Sequence, residues 1–421
     1  MRMRRAFLPL LAPALLLLGA ACSSDEDPTP APTAATTATG EATTTATAMT
    51  EPLKIGLLLV GPRDDHGWSQ AHFEGAQYAA EALGAELIVV DKVNPADSPN
   101  VTIPQIVDDM VAQGVGLILA TSDDMKDGIL EAAAAHPDVP MIWASGDNAW
   151  TDGLDFRPDL ANLGNIMGEM EYGKMIAGCA AALQSESGQI SYLGPLINDE
   201  TRRLVNSSYL GARHCWTEVR GNDAADLQFN VTWIGFWFNI PGVTLDPTQV
   251  VNEFHANGTD VIISGIDTTE GIVRTGQVAA EGQTVWAVPY DFEDACSQAP
   301  EVCLGVPYFN WGPAYLETAQ SVIDGSFTAT FQWLSPDWAD INNPDTSAIG
   351  FLKGDGLTEE NATALDEFIA GLASGSLNLW SGPLNFQDGS AFLAEGATAT
   401  PQQVWYMKQL LEGIEGASAA E

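Results

Sequence analysis

From residue 55 onward, short apolar stretches alternate with longer amphipathic ones. An apolar stretch bounded by Gly or Pro predicts a buried strand, and spacing of apolar residues at three and four positions predicts a helix. On this basis the chain opens with a strand at 55–60, which Gly61-Pro62 ends, and a helix at 70–83. Further strands are predicted at 87–90, 116–120, 140–144, 190–193, 231–235, 261–264 and 285–288, and further helices at 103–113, 126–135, 168–183, 200–218, 247–256 and 271–281.

The alternating elements divide into two similar halves of four strands each, separated by a break at 146–165. Strands that alternate with helices predict parallel sheets, and a repeated unit of this size predicts two doubly wound lobes in an α/β fold. A barrel of eight βα units is the alternative, but the break between the halves disfavours it.

The N-terminus is typical of an exported protein. Three arginines lie among the first five residues, an apolar stretch covers 6–18, and Gly19-Ala20-Ala21-Cys22 follows. This predicts a signal peptide over 1–21 that is too short to remain as a membrane span. The small residues before Cys22 resemble a bacterial lipobox, which implies lipidation of Cys22 and a membrane anchor. Ordinary secretion after cleavage behind Ala21 is the alternative.

Residues 22–52 are rich in Thr, Ala and Pro and contain no aromatic residue, so they predict a tether without a core. As a flexible coil this tether would span roughly 30 Å. The rest of the chain is long enough for two lobes. We expect a first lobe at 53–161 and about 292–329, a second lobe at 162–291 and about 330–412, and a disordered tail at 413–421.

The chain is strongly acidic, with 16 Lys and Arg against 56 Asp and Glu and a net charge of −40. Nucleic-acid binding is therefore not expected, because no basic surface would neutralise phosphates. Acidity suits a soluble extracytoplasmic domain without identifying its ligand.

Besides Cys22 there are four cysteines, an even number in an exported domain where disulfides persist. Four cysteines allow three pairings. Closeness in sequence favours Cys296 with Cys303, which leaves Cys179 with Cys215. The spacings lack the paired CxxC pattern of a zinc site, so no metal is expected.

In parallel sheets the carboxyl ends of strands form the edge where ligands bind. Aromatic residues from both halves, Trp68 against Trp237 or Phe238, could therefore enclose a flat ring, and carboxylates could accept hydrogen bonds from hydroxyl or amino groups. The groups expected at this edge are 64–69, 121–123 and 145–147 from the first half, and 195–200, 236–238, 265–267 and 290–291 from the second.

Each of these residues also has a structural interpretation. Aromatics at strand ends often close a core, Asp after a strand often caps the next helix, and His72 is as compatible with packing as with a ligand contact. The candidate ligand-binding residues are Asp65, Trp68, Ser69, His72, Ser122, Asp147, Trp237, Phe238, Asp267 and Asp291.

Short motifs over most of the folded chain resemble the basic membrane protein family, the extracytoplasmic solute-binding lipoproteins of ABC importers. They occur in the expected order. They are Gly61-Pro62 with Asp65, Gly67-Trp68 and Gly75; Asp109 to Gly114 with Leu117-Ile118; Pro137-Asp138-Val139-Pro140; Gly194-Pro195; Asn206; Gly211-Ala212; Asp267; Asn310-Trp311-Gly312-Pro313; and Gly382-Pro383-Leu384 with Asp388-Gly389.

The resemblance implies a periplasmic-binding-protein type I fold, in which two lobes joined by three crossing strands enclose a ligand, and it implies delivery to an ABC permease by a monomeric receptor. It further implies a purine nucleoside or nucleobase as ligand. Trp68 would be the stacking aromatic of the first lobe, with Ser69 where Asn is commoner, and Trp237 or Phe238 that of the second. Asp147, Asp267 and Asp291 would be polar contacts.

Three alternatives remain. The same fold could bind a sugar or riboflavin, or could serve a sensory kinase or chemoreceptor instead of a permease. An exported hydrolase is disfavoured because the five histidines form no HExxH motif and the chain has neither a GxSxG elbow nor a Walker loop. We therefore expect a binding protein with no cofactor, and not an enzyme.

Overall fold

The computed structural model describes residues 51–419. The predicted signal peptide, Cys22 and nearly all of the predicted tether lie outside the described residues. Within 51–419 no helix is both long and apolar enough to cross a membrane.

The chain first forms five strands and three helices of one lobe. The second helix is capped by the residue before it, since the Thr102 side chain accepts a hydrogen bond from the Gln105 backbone N–H. The elements are β1 (Lys54–Leu58), α1 (Trp68–Leu83), β2 (Glu86–Val90), α2 (Ile103–Ala112), β3 (Leu117–Ala120), α3 (Lys126–Ala135), β4 (Met141–Ala144) and β5 (Leu163–Gly168).

The chain then builds the second lobe. Its first two helices pack so closely that a Cβ atom on Gly211 would lie only 1.9 Å from the Met175 carbonyl oxygen. The elements are α4 (Met170–Gln184), β6 (Gln189–Gly194), α5 (Asp199–His214), β7 (Gln228–Trp233), α6 (Pro247–Ala256), β8 (Val261–Ser264), α7 (Glu270–Ala280) and β9 (Trp286–Val288).

The last part of the chain contributes to both lobes. It consists of β10 (Gly305–Phe309), α8 (Gly312–Ile323), β11 (Phe331–Leu334), β12 (Ile349–Lys353), α9 (Glu359–Ala373), β13 (Leu384–Asn385), β14 (Ala391–Leu393), α10 (Pro401–Trp405) and β15 (Ile414–Glu415).

Two parallel sheets organise these elements. The first lobe has a six-stranded sheet in the order β11-β5-β4-β3-β1-β2, and the second has a five-stranded sheet in the order β15-β7-β6-β8-β9. The chain passes between the lobes after β5, after β9 and after β11, and β10 pairs antiparallel with β12 at these crossings. The predicted α/β fold of two doubly wound lobes with crossing strands is confirmed.

The central strands are apolar on both faces because helices cover both sides of each sheet. Leu57, Leu58 and Ile118 are completely buried in the first lobe, as are Ile190 and Ile263 in the second. This is why their sequences read as continuous apolar runs, and why the strand predictions agree with the structure there.

The strand β5 departs from the prediction, which placed a break at 146–165 and a helix from 168. Its sequence contains Gly164 and Asn165, which are unfavourable in a strand. The buried Asn165 side chain is nevertheless satisfied, since it accepts from the Ala149 backbone N–H and donates to Asn148. Both β5 and β11 belong to the first sheet and lie beyond the predicted lobe boundaries at 161 and 329.

The predicted disordered tail at 413–421 is also wrong over its described part. Ile414–Glu415 pairs in parallel with β7, and Ile414 is buried. The indole N–H of Trp233 donates to the Ala417 carbonyl at 2.8 Å, and Arg202 donates to the Ser418 carbonyl at 3.0 Å. Single apolar residues among small ones carry too little pattern to predict such a strand.

Two disulfides are present. Cys179 of α4 is joined to Cys215 at the end of α5, and Cys296 is joined to Cys303 in the segment before β10. The first pair spans 36 residues of sequence and the second only 7. A disulfide stabilises a protein by restricting the unfolded chain, and the restriction grows with the closed loop.

Replacing both Cys179 and Cys215 by Ala should lower the free energy of unfolding by about 4 kcal/mol, from the entropy of the loop that they close. The matched variant, with Cys296 and Cys303 replaced by Ala, should lose only about 2.5 kcal/mol. Guanidinium denaturation measures both. Equal losses in the two variants would contradict the loop-length argument.

Candidate functional site

The carboxyl ends of the strands of both sheets meet at a cleft with about 420 Å³ of empty space. The capping box at Asn198 starts α5 next to the end of β6, so the first turns of α5 reach the cleft. The residues that line it are Trp68, Ser122, Asp123 and Ser145 from the first lobe, and Tyr192, Pro195, Glu200, Thr201, Leu204, Trp237, Gly265, Asp267 and Tyr290 from the second.

The two lobes touch across the cleft, so the structure is in a closed form. A Cβ atom on Gly67 would lie 1.7 Å from the Asp267 carbonyl oxygen, so only glycine allows this approach. The next backbone N–H, that of Trp68, donates to the same carbonyl at 3.4 Å. Phe238 of the second lobe also packs against an apolar cluster that is built mainly from first-lobe residues.

Backbone strain is concentrated at this edge. Among the described non-glycine residues, those with positive φ are His66, Lys92, Ser145 and Asp291, and three of the four follow strands at the cleft. Such conformations cost free energy and are found where the surrounding structure needs an unusual backbone, often at binding sites.

Trp68 lines the cleft but is firmly held by the first lobe. Its indole N–H donates to the Thr121 carbonyl at 2.6 Å, and its ring makes edge contacts with Phe309 and Trp311 at centroid distances of 5.2 and 5.5 Å. It is only 7 % exposed. Trp68 is therefore a rigid wall of the cleft.

Trp237 lies on the opposite wall, in the loop after β7, and is partly exposed. Its carbonyl accepts a hydrogen bond from the Asp267 N–H at 2.9 Å, which fixes its backbone. The neighbouring Phe238 does not line the cleft, and its ring packs edge-on against Phe236. Of the two aromatics predicted for the second lobe, Trp237 is thus the one that faces the cleft.

Asp65 holds the backbone at the start of α1 by hydrogen bonds. Its carboxylate accepts hydrogen bonds from the backbone N–H groups of Gly67, Ser69 and Gln70 at 2.9 to 3.0 Å. Burial raises the pKa of Asp65 to about 6, although these hydrogen bonds oppose the rise. The residue holds the loop that presents Trp68 and does not itself line the cleft.

Ser69 and His72, both predicted to bind ligand, are fully buried behind Trp68. The Ser69 hydroxyl accepts from the Gly61 N–H at 3.0 Å. The His72 ring stacks on Trp311 at 4.1 Å and its Nδ1 is hydrogen-bonded to the Tyr315 hydroxyl at 2.7 Å. Burial keeps the pKa of His72 well below its usual value, so the ring is neutral. Both residues are on the face of α1 that turns toward the core.

Asp147 lies in an adjoining outer chamber with about 740 Å³ of empty space, which shares Asp123, Ser145 and Glu200 with the cleft. The Tyr406 hydroxyl donates to Asp147 at 2.6 Å and accepts from the Leu154 N–H, also at 2.6 Å. Asp147 therefore connects the C-terminal segment to the first lobe at the entrance of the cleft.

Three carboxylates, Asp123, Glu200 and Asp267, line the cleft itself, whereas its lining residues include no Lys, Arg or His. Burial raises the pKa of Glu200 to about 7, with the charges of Asp123 and Glu171 adding to the effect. Burial also raises the pKa of Asp267 well above its usual value, and the charge of Asp291 adds to this effect. Such a lining favours ligands that donate hydrogen bonds and disfavours anions.

Of the predicted ligand-binding residues, the structure brings Trp68, Ser122, Trp237 and Asp267 together at the cleft. Asp291 is fully buried next to Tyr290, at the base of the cleft. The sequence reasoning missed Tyr192, Thr201 and Leu204. Tyr192 is an interior position of β6, and nothing in its local pattern distinguishes it from a core residue. No group of three or more His, Cys, Asp or Glu that could hold a metal ion occurs within 51–419.

Comparison with known proteins agrees with this geometry. Residues 53–217 match the model of a family described as ABC transporter substrate-binding protein PnrA-like. A purine-binding protein of Brucella abortus is 25 % identical over 367 residues, which cover 87 % of this chain and 93 % of that protein. A protein of Haloferax volcanii named as an ABC transporter glucose-binding protein is 26 % identical over 362 residues, which cover 84 % and 78 % of the two chains.

Solved structures show the same fold. An ABC transporter solute-binding protein of Aeropyrum pernix superposes with a TM-score of 0.61 at 14 % identity, over 80 % of this chain and 93 % of that one. One from Conexibacter woesei superposes with a TM-score of 0.54 at 17 % identity, over 77 % and 98 %. The predicted resemblance is confirmed over residues 53–217, which match the PnrA-like family of ABC transporter substrate-binding proteins.

Proposed function

We propose that this protein captures a purine nucleoside or nucleobase between its lobes and presents it to an ABC permease. The observation that carries the proposal is the lining of the closed cleft, where aromatic rings and carboxylates face each other without a basic side chain.

Aromatic residues on several sides of the cleft favour a flat ligand. Trp68 and Trp237 come from different lobes, whereas Tyr192 on β6 and Tyr290 after β9 both come from the second lobe. Base stacking on an aromatic ring contributes about 1 to 3 kcal/mol per base, and it requires parallel faces that a closed two-lobed site can supply.

The carboxylates favour a ligand that carries amino or hydroxyl donors. A carboxyl group accepts hydrogen bonds in either protonation state, so Asp123, Glu200 and Asp267 suit the exocyclic amine of a purine or the hydroxyls of a pentose. They would repel a phosphate. A nucleoside or base therefore fits better than a nucleotide, and the purine-binding relative supports the same ligand class.

We also propose that Cys22 carries the lipid anchor and that the receptor acts as a monomer. Intact mass of the membrane-extracted protein should show diacylglycerol on Cys22, and Cys22→Ser should release the protein into the soluble fraction. Retention of the variant on membranes would contradict the anchor.

The ligand class can be tested by calorimetry on the mature chain with Cys22→Ser. Adenosine, guanosine, inosine, hypoxanthine, glucose and riboflavin are titrated in turn, and we expect binding of the purine compounds only. Binding of glucose alone would replace the purine assignment with a sugar receptor. Chromatography of the recovered ligand should show it chemically unchanged, and turnover would overturn the assignment as a binding protein.

Replacing Trp237 by Ala should weaken purine binding by about 1 to 3 kcal/mol, or roughly five- to 150-fold, because one stacking face is lost. Trp338→Ala is the matched control, since Trp338 packs edge-on against Tyr172 and does not line the cleft. Isothermal titration calorimetry of wild type and both variants measures the purine affinities. Equal affinities in wild type and Trp237→Ala would remove Trp237 from the site.

Glu200→Gln should stabilise the empty protein at pH 8 and have much less effect at pH 5. The folded pKa of Glu200 is raised from 4.5 to about 7, so the ionised side chain costs folding free energy as pH rises from 4.5 through 7. The gain at pH 8 should be about 1 to 3 kcal/mol. Glu367→Gln, on the exposed face of α9, is the control. Urea denaturation at both pH values measures the difference, and an equal gain at both would contradict this assignment.

A further inference from the structure

Tyr406 belongs to a C-terminal segment that is fixed to the second lobe. The strand β15, which follows it, pairs in parallel with β7 of the second sheet. The next residue, Met407, is completely buried, and its carbonyl accepts a hydrogen bond from Arg202 Nε at 2.6 Å. The Asn206 side chain donates to the Gln409 carbonyl at 3.0 Å. Because these partners lie on β7 and α5, the backbone of Tyr406 moves with the second lobe.

The side chain of Tyr406, in contrast, is held by the first lobe. Its hydroxyl donates to Asp147 Oδ2 at 2.6 Å and accepts from the Leu154 N–H at 2.6 Å. Its ring stacks on Trp150 with a centroid distance of 5.8 Å and an angle of 9°. A Cβ atom on Gly153 would lie 2.9 Å from the same hydroxyl oxygen, so the loop approaches as closely as a glycine allows. The loop after β4 therefore satisfies this hydroxyl twice.

The hydroxyl contacts depend on the closed arrangement of the lobes. Asp147 and Tyr406 both line the outer chamber, whose other lining residues come from both lobes. A hydrogen bond is lost beyond about 3.5 Å, so a separation of the two partners by about 1 Å more breaks both bonds. The preceding residue, Trp405, packs against Phe331 and Trp333 of β11, beside a segment where the chain passes between the lobes. We expect that contact near the hinge to persist on opening.

We propose that Tyr406 is a positioning residue for solute capture, whose hydroxyl latches the closed lobes together through Asp147 and Leu154 and thereby slows the release of solute. Contacts that form only in the closed state stabilise it relative to the open state, so they raise affinity without touching the solute. Asp147 then acts in closure and not in direct contact with solute. The inference depends on closure of the two lobes and not on which solute they enclose.

Removing the hydroxyl alone tests the latch. Tyr406→Phe should raise the dissociation rate constant of adenosine about tenfold, the effect of losing two ordinary hydrogen bonds, and leave the association rate constant nearly unchanged. Stopped-flow fluorescence measures both. The matched control is Tyr172→Phe, because Tyr172 packs edge-on against Trp338 and does not line the chamber. A wild-type dissociation rate in Tyr406→Phe would overturn the proposal.

A double-mutant cycle separates the latch from a direct contact between Asp147 and solute. Asp147→Ala should speed dissociation in the wild-type background and have almost no further effect in the Tyr406→Phe background, because the two side chains act through one hydrogen bond. Asp147→Asn retains an acceptor oxygen and should restore most of the slow release. Additive effects of the two substitutions would assign Asp147 to the solute and reject the latch.

A measurement without solute keeps this inference separate from the proposed function. Fluorophores on Glu131→Cys of α3 and Glu253→Cys of α6, both exposed positions, report the separation of the lobes in the chain that carries Cys22→Ser. In single-molecule energy transfer, Tyr406→Phe should leave the closed state about tenfold faster than the parent chain. Equal opening rates would overturn the latch whichever solute binds. Failure of wild type to bind adenosine would reject the purine assignment alone.

Discussion

The close approach of Gly67 to the Asp267 carbonyl is the contact on which the site depends. It brings the start of α1 from the first lobe against the loop after β8 in the second, with no side chain between them. The carboxylates of the cleft are thereby removed from bulk water, which is why burial dominates the rise in their pKa values. A ligand that donates hydrogen bonds would replace the lost water, so occupancy and closure are energetically linked.

The cleft and the outer chamber differ in the residues that line them. The cleft is aromatic and carboxylate-lined, whereas the chamber contains the Lys126–Asp155 ion pair at 2.8 Å and the Tyr406–Asp147 hydrogen bond. Because they share Asp123, Ser145 and Glu200, a group on the ligand that extends beyond the cleft would enter the chamber. Contacts there come from the C-terminal segment as well as from both lobes.

Much of the fold could be predicted from the sequence because parallel strands covered on both faces leave continuous apolar runs. The strand β5 could not, since Gly164 and Asn165 interrupt its run and only tertiary hydrogen bonds satisfy it. The position of the cleft could also be predicted, because the carboxyl ends of parallel strands lie together at one edge of each sheet. The pattern could not show that Ser69 and His72 turn toward the core, or that Tyr192, an interior position of β6, lines the cleft.

The disulfide between Cys179 and Cys215 has a consequence for motion. It joins α4 to the end of α5, two helices of the same lobe, and the Cys296–Cys303 disulfide closes a short loop before β10, so neither disulfide links one lobe to the other. In an oxidising compartment this crosslink restrains α4 relative to α5 within the second lobe and adds no covalent link across the crossing segments. The capture and release of solute can then proceed without any change in the redox state of the protein.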